Sequence, residues 1–158
     1  MYFVSATRLK LGSIFYLPRF MAANNASAKQ LIITPGFVAG AEIMDKGLTF
    51  WTLTLWHKDA DMKSFRNSPA HRKAMQKLPD WCCEATYAHW MQDEATLPDW
   101  NTVHERMVKE GIASKLRNGT ERHQTKAFPI IKWRKTERKF KPITNYAKGI
   151  PLGKIRNH

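Results

Sequence analysis

The segment of residues 48–56 alternates like a β-strand and is largely apolar on both of its faces. One face carries Phe50, Thr52, Thr54 and Trp56, and the other carries Trp51, Leu53 and Leu55. Successive side chains of a strand point to opposite sides of a sheet, so each face of this strand needs its own covering layer. This double requirement constrains the fold more than any other feature of the sequence.

The elements around this strand predict an α+β domain. Alternation and β-branched or aromatic residues predict strands at residues 3–10, 37–44, 48–56 and 86–91. Helix starts are indicated by Pro18, Asp59 and Pro69, because proline and acidic residues suit the first turn of a helix.

The ends of the later helices complete the predicted order. Pro79 is expected to end the helix that begins at Pro69, with one further turn at residues 80–84. A last helix is expected from Trp100 to a stop at Gly111. The order is then β-α-β-β-α-β plus a C-terminal helix, which is the ferredoxin-like split βαβ arrangement with a four-stranded antiparallel sheet.

In that arrangement helices cover one face of the sheet only. The other apolar face of residues 48–56 would remain open, and an exposed patch of tryptophan and leucine usually marks an interface. We therefore expect two such sheets to pack face to face in a homodimer, a dimeric α+β barrel.

The positive charge is concentrated at one end of the chain. The whole sequence has a net charge of +13. Residues 1–113 hold 13 Lys and Arg against 11 Asp and Glu, a balance of +2, whereas residues 114–158 hold 13 against 2, a balance of +11. We therefore divide the chain into a ferredoxin-like α+β domain, residues 1–113, and a basic C-terminal extension, residues 114–158.

The extension mixes cations with Trp133 and Phe140 between residues 132 and 141. This pattern is typical of a solvated charge run, of docking on an anionic membrane surface through residues 130–158, or of nucleic-acid binding. Nucleic acid is the least favoured of the three, since the charge lies outside the domain.

Other classes of protein are disfavoured. Cys82 and Cys83 are adjacent and are the only cysteines, so neither a disulfide framework nor a zinc site is expected. Phosphate loops, nucleotide fingerprints, the Ser-His-Asp order and metal-ligand spacings are absent from the sequence. The apolar stretch of residues 11–23 is interrupted by Pro18 and Arg19 and is too short to span a bilayer. We expect a cytoplasmic protein, peripheral to a membrane if the tail docks there.

A family resemblance lies in the block from Thr49 to Trp90. It comprises Thr49-Phe-Trp-Thr-Leu-Thr-Leu-Trp56, Asp61-Met-x-x-Phe65-Arg-Asn-Ser-x-x-His71, Asp80-Trp81-Cys82 and His89-Trp90. The block resembles the spheroidene-monooxygenase-like branch of the antibiotic biosynthesis monooxygenase superfamily of dimeric α+β barrels. The resemblance runs from about residue 3 to residue 128. It implies the fold predicted above and a cleft between helices and sheet.

That superfamily includes cofactor-free oxygenases, haem-containing enzymes and members of no known activity, so the resemblance implies no single reaction. Haem-binding relatives take their axial histidine from the region of His71, which implies either haem at His71 or no cofactor. A neutral imidazole can ligate iron or act as a base near pH 7. The alternative is a core histidine hydrogen-bonded to a backbone carbonyl.

Further candidates surround the expected cleft. Tyr87 and His89 share one face of the fourth strand, and they would join His71 in the cleft if that face points toward the helices. We take His71, His89 and Tyr87 as candidate catalytic residues, against the alternative of a satisfied strand histidine. The candidate substrate pocket consists of Trp51, Trp56, Phe65, Trp81 and Trp90, although aromatic residues at such spacings are often simply core.

A carboxylate pair is also considered. Asp80 and Glu84 lie four residues apart and could form an acid–base pair, but solvated charge is the favoured explanation, because neither residue is obviously buried. Two functions follow from the sequence. The first is a monooxygenase-like enzyme that acts on or binds an apolar small molecule in the cleft. The second is a non-catalytic dimeric ligand-binding module with a basic docking tail.

Overall fold

The structure is a computed structural model, and it describes residues 1–143 of the chain. Its strands are β1 (Tyr2–Leu11), β2 (Phe37–Asp45), β3 (Thr49–Trp56), β4 (Cys82–Gln92), β5 (Ile112–Ala113) and β6 (Arg138–Phe140). Its α-helices are α1 (Leu17–Ile33), α2 (Asp59–Arg66), α3 (Pro69–Trp81), α4 (Trp100–Glu110) and α5 (Glu121–Thr125).

The strands form one antiparallel sheet in the order β5-β4-β1-β3-β2-β6. The four central strands are those that the sequence predicts, and the α+β class is confirmed. The described part of the sheet has six strands rather than four, because the short strands β5 and β6 extend its two edges. Both short strands lie in the chain beyond α4, where no alternating pattern of apolar residues predicts a strand.

Helices α1, α2 and α3 lie on one face of the sheet. Pro18 occupies the first turn of α1, and Asp59 and Asp61 lie in the first turn of α2, as expected. Helix α2 buries Met62 and Phe65 against the sheet. This face carries the predicted helical layer.

Helix α3 differs from its prediction at the C-terminal end. It continues through Pro79 to Trp81, and β4 begins at Cys82, so the expected further turn at residues 80–84 is wrong. A proline removes only its own N–H from the helical ladder, and so near the last turn the loss is limited. The helix end therefore follows from the start of the strand and not from the proline.

The second face of the sheet is covered by the chain itself. Trp51, Leu53 and Leu55 are at most 1% exposed, and they pack with α4 and with Phe128 and Ile131. The premise that this face stays open is thus wrong, because the segment beyond α4 folds back over it. The homodimer stays a prediction, and it no longer has an open sheet face to support it.

Residues 114–143 are held in place by specific contacts. Asp45 Oδ1 accepts hydrogen bonds from the backbone N–H groups of Lys132 (3.0 Å) and Trp133 (2.9 Å). Arg138 forms an ion pair with Glu42 at 2.6 Å, and β6 pairs with β2. The division after residue 113 is thus a boundary in charge, and the described part of the extension packs on the domain. Residues 144–158 of the predicted tail lie outside the described residues.

Within residues 1–143, no helix is both long and apolar enough to cross a membrane.

Candidate functional site

A cavity of about 330 Å³ lies between α1, α2 and α3 and the sheet. Ligand-binding pockets usually measure roughly 300–1,000 Å³, so this one suits a compact small molecule. The predicted cleft between helices and sheet is therefore present.

The sheet provides a polar floor made of two rows of side chains that cross the strands. The first row runs Glu42, Thr52, Thr7, Tyr87, and the second runs Thr54, Ser5, His89. Within each row the residues are direct partners on neighbouring strands, and side chains at such positions lie about 5 Å apart. The floor thus offers hydroxyl, imidazole and carboxylate groups to a ligand.

The helices provide a roof that is mainly apolar. Its side chains are Phe20, Ala23, Ala28 and Leu31 from α1, Met62 and Phe65 from α2, and Ala74, Met75, Leu78 and Trp81 from α3. A ligand in this cavity would contact hydrocarbon on one side and hydrogen-bonding groups on the other. That combination fits a flat, mostly apolar molecule with a few polar substituents.

His71 lies in the wall of this cavity, on α3. Its Nδ1 is 3.3 Å from the carbonyl oxygen of Arg66, and its ring packs on Phe65 at a centroid distance of 4.6 Å. Because a carbonyl can only accept, Nδ1 carries the proton and Nε2 keeps its lone pair. Burial lowers the pKa of His71, the carbonyl hydrogen bond opposes that shift, and the charge of Arg66 adds to it. The imidazole is therefore neutral at pH 7.

His89 and Tyr87 line the same cavity from β4, with ring centroids 5.1 Å apart. Partial burial lowers the pKa of His89, and the positive charges of Arg66 and Lys63 lower it further. The face of β4 that carries these two residues thus points toward the helices, as the prediction requires. The structure brings all three candidate catalytic residues to one cavity.

The two ends of the cavity differ in exposure. The wall residues Arg66, Met75 and His89 are exposed, and His71 and Tyr87 are half-buried, which places the mouth between α3 and β4. The opposite end lies at β2, where Glu42 and Phe140 close it. The histidines are therefore near solvent, and the closed end is remote from them.

The aromatic pocket predicted from sequence is only partly correct. Phe65 and Trp81 line the cavity. Trp56 lies behind Phe65 at a centroid distance of 5.6 Å, and its indole N–H donates to Thr54 at 2.9 Å, so it supports the wall from outside. Trp51 and Trp90 lie in the core on the opposite face of the sheet, because each is an odd number of residues from the cavity-facing positions of its strand.

The proposed carboxylate pair does not form. Glu84 is buried and makes an ion pair with Arg8 at 2.5 Å, whereas Asp80 pairs with exposed Arg117 at 3.0 Å. Asp80 belongs to α3 and Glu84 to β4, so the spacing of four residues does not place them on one helical face. The alternative of an acid–base pair at these positions is therefore wrong, and the favoured expectation of solvated charge fits Asp80 but is wrong for buried Glu84.

Several cavity residues were missed by the sequence analysis. They are the polar floor residues Ser5, Thr7, Glu42, Thr52 and Thr54 and the wall residues Asn24, Ser27 and Arg66. Thr52 and Thr54 gave a signal, because two hydroxyls stand between Phe50 and Trp56 on an otherwise apolar strand face. Glu42 gave no such signal, because its sequence context does not differ from that of a glutamate on the surface.

The chemistry of the cavity wall bears on whether a metal or a haem could be held. Among residues 1–143, no three His, Cys, Asp or Glu side chains lie together in a way that could hold a metal ion. For haem, His71 has the required donor, since its Nε2 lone pair is free while Nδ1 is held by a carbonyl. The volume does not fit, because 330 Å³ is near the lower limit for an ordinary ligand pocket and a haem is larger than such ligands.

Comparisons with known proteins bear on the fold. Neither the models of protein families nor the curated proteins contain a match to this chain. Among solved structures, a proposed antibiotic biosynthesis monooxygenase from Nitrosomonas europaea aligns with a TM-score of 0.52 at 13% identity, covering 58% of this chain and 89% of that one. A second, from Bacteroides thetaiotaomicron, aligns with a TM-score of 0.53 at 15% identity over 62% of this chain and 95% of that one.

A variant of SnoaB, a cofactor-independent oxygenase from Streptomyces nogalater, aligns with a TM-score of 0.50 at 14% identity, covering 62% of this chain and 98% of that one. At such identities the likeness establishes the fold alone. It does not single out the spheroidene-monooxygenase-like branch, which stays a prediction. This chain thus has the α+β fold seen in proteins named as antibiotic biosynthesis monooxygenases.

Proposed function

We propose that this protein is a monooxygenase-like enzyme that binds an apolar small molecule between the helices and the sheet and oxidises it with O₂. One observation carries the proposal: His71, His89 and Tyr87 meet at the mouth of a cavity whose roof is apolar. SnoaB, which has this fold, is a cofactor-independent oxygenase, and chemistry without a cofactor is consistent with the limited volume of the cavity.

The proposed chemistry begins with a proton transfer. His71 holds its Nδ1 proton against the carbonyl of Arg66, so Nε2 accepts a proton from an acidic C–H or phenolic O–H of the ligand. The charge of Arg66, which helps to lower the pKa of both histidines, also stabilises the anion that forms. An electron-rich carbanion or phenolate then reduces O₂ directly. Conversion of a CH₂ group and O₂ into C=O and H₂O balances without another reductant.

A non-catalytic ligand-binding module is the second candidate. It is favoured by one observation: among the described residues, neither His71 nor His89 is hydrogen-bonded to a carboxylate that would orient it as a base. Binding would then use the same cavity without a reaction.

Anthrone separates the two candidates, because it is flat, mostly apolar and carries one activated CH₂ group. Binding is measured by quenching of tryptophan fluorescence, and reaction by uptake of O₂. We expect both with the wild-type chain, and a rate lowered roughly 10²–10⁴-fold in His71→Gln or His89→Gln with binding retained. His57→Gln is the matched control, because His57 is exposed and outside the cavity.

Binding without O₂ uptake would favour the module, and absence of binding would contradict both candidates for this class of ligand.

The partner and location are part of the same proposal. We propose a homodimer in the cytoplasm that docks on anionic membrane through residues 130–158. The charge of +11 in residues 114–158 supports docking, as do exposed Ile130 and Trp133 among cations. The homodimer is supported by the family resemblance alone. Sedimentation velocity measures the mass of the particle in solution, and we expect the mass of two chains.

A further inference from the structure

We infer that the closed end of the cavity recognises a neutral hydrogen-bond donor, a hydroxyl or aromatic amino group, at the end of the ligand remote from the histidines. The inference rests on the proposed function only in that the same cavity binds the ligand. The recognising group is the carboxylate of Glu42.

The sheet places Glu42 far from the mouth. Glu42, Thr52, Thr7 and Tyr87 stand opposite one another on β2, β3, β1 and β4. Neighbouring strands are about 4.8 Å apart, so Glu42 and Tyr87 are separated by three such spacings, roughly 14 Å between backbones. One elongated ligand can therefore meet Glu42 at one end and the histidine end of the cavity at the other.

Two partners hold the carboxylate of Glu42 in position. Its Oε1 is 2.6 Å from a terminal nitrogen of Arg138, and its Oε2 accepts a hydrogen bond of 3.0 Å from the side-chain amide of Asn24. An ionised carboxylate has about four lone-pair sites, so acceptor capacity remains on both oxygens. The side chain is 18% exposed and lines the cavity. A ligand group that meets it there must donate.

The C-terminal segment closes this end and sets its charge. Phe140 lies in the cavity wall, and the guanidinium of Arg138 stacks over the ring of Phe140 at 4.8 Å. Because Arg138 already neutralises Glu42, a cationic ligand group would bring one unbalanced positive charge into a mostly apolar site. A neutral donor adds a hydrogen bond to a charged acceptor without that cost.

The polar groups beside Glu42 agree with this assignment. Thr52 supplies a hydroxyl, which can accept or donate, one position along the floor. Asn24 lies on α1, above the floor, and its side-chain amide donates a hydrogen bond to Glu42. Recognition of the far end of the ligand is thus built from β2, β3, α1 and β6 and shares no residue with the histidine end.

The test compares 2-naphthol with 2,6-dihydroxynaphthalene by isothermal titration calorimetry on the full chain. The naphthol can satisfy one end of the cavity, and the diol can satisfy both. We expect the wild-type chain to bind the diol at least about tenfold more tightly, the factor typical of one hydrogen bond to a charged group. In Glu42→Gln this ratio should fall toward about two, the statistical advantage of two equivalent hydroxyls, because a neutral amide oxygen keeps only part of the hydrogen bond that a carboxylate forms.

Glu110→Gln is the matched control. It removes the same charge from an ion pair with an arginine, Arg106, on the exposed side of α4 and outside the cavity. The ratio should stay at its wild-type value there. If circular dichroism shows that Glu42→Gln does not fold, Glu42→Asp replaces it, because the shorter side chain withdraws the carboxylate from the ligand by one CH₂ group and should also lower the ratio.

Equal affinities for naphthol and diol in the wild-type chain would overturn the inference and leave the proposed function intact. Absence of binding by both compounds would overturn the inference together with the cavity proposal.

Discussion

The histidines of this protein differ in burial and in hydrogen bonding, and these differences set which ring nitrogens remain accessible to a ligand. His71 and His89 have their pKa lowered first by burial, and the charge of Arg66 adds to both shifts. By contrast, buried His123 uses both ring nitrogens, accepting from the N–H of Ala85 and donating to the carbonyl of Ser114. A histidine with both nitrogens engaged is structural, whereas Nε2 of His71 has no hydrogen-bond partner among residues 1–143.

The lowered pKa values predict a pH dependence of stability. In the unfolded chain both imidazoles titrate near 6.5, and in the folded chain they titrate lower, so the unfolded state binds more protons between the two values. The free energy of unfolding should therefore fall as pH decreases below 6.5, by at most about 1.4 kcal/mol per pH unit for each histidine. Urea denaturation at a series of pH values from about 7.5 to about 5 measures this decrease in the free energy of unfolding.

The double variant His71→Gln, His89→Gln should show a shallower decrease over the same range. Identical pH profiles for the two proteins would contradict this assignment of the titrating groups.

Arg8 and Glu84 form a buried ion pair on the other face of the sheet, each side chain being 3% exposed. Burial lowers the pKa of Arg8, and the hydrogen bond and charge of Glu84 oppose that shift. Glu84→Gln leaves the guanidinium without its charge partner, and we expect a loss of about 3–5 kcal/mol in the free energy of unfolding. Asp80→Asn, which breaks an exposed pair with Arg117, should cost less than about 1 kcal/mol in the same urea titration.

The segment after α4 has no long helix or strand, and yet it forms part of the core. Phe128 is 6% exposed and Ile131 5%, and both pack in the core against the face of β3 that carries Leu53. Phe128 also lies under the guanidinium of Arg8, at 4.4 Å from the ring centroid. The segment is thus a layer of the domain.

Phe128→Ala should therefore destabilise the protein by about 3–5 kcal/mol, because it leaves a cavity over β3. Ile130→Ala is the matched control, since Ile130 is 66% exposed and its loss should change stability by no more than about 0.5 kcal/mol. Thermal and urea unfolding measure both. Equal stabilities of the two variants would show that the segment does not pack on the sheet.

The same segment marks the limit of what the sequence could predict. Strands β1 to β4 and helices α1 to α4 have periodic apolar positions, so their existence and order followed from the pattern. Phe128 and Ile131 are isolated apolar residues in a basic stretch without a period, and nothing local shows that they are buried. Phe128 and Ile131 are buried because they cover the apolar face of β3 that α1, α2 and α3 leave open. That strand lies more than 70 residues earlier in the sequence.

The candidate site was predictable to a similar degree. The common location of His71, His89 and Tyr87 could be predicted, because alternation on β4 and helical spacing on α3 place them toward one cavity, whereas their catalytic role stays a prediction. Trp51 and Trp90 lie outside the predicted pocket, because strand register and not aromatic character decides which face a side chain takes. The position of Glu42 in the cavity wall gave no local signal, because its ion-pair partner Arg138 lies almost 100 residues later in the chain.

For the whole molecule, the distribution of charge is the main feature beyond the fold. Exposed Lys132, Arg134 and Lys135 surround Trp133, which is 48% exposed. Each cation near an anionic membrane contributes about 1 kcal/mol of binding free energy. The chain should therefore co-sediment with vesicles of phosphatidylserine and phosphatidylcholine, and less so as salt rises, because the Debye length falls from about 10 Å at 0.1 M to 3 Å at 1 M.

Replacing these three cations by glutamine should weaken vesicle binding at least about tenfold. The matched control replaces Lys73, Lys77 and Lys109 by glutamine. These lysines are exposed on α3 and α4, and their replacement removes the same net charge. Equal binding by the two triple variants would argue for net charge alone and against a docking surface at Trp133.

Coverage of both sheet faces within one chain has a consequence for mass action. Where an apolar sheet face is buried only by a second copy, folding is coupled to association, and the unfolding midpoint rises with protein concentration. Here α4, Phe128 and Ile131 shield that face at every concentration. Burial of this face therefore requires no second copy, and we expect a newly made chain to complete this core without waiting to encounter another.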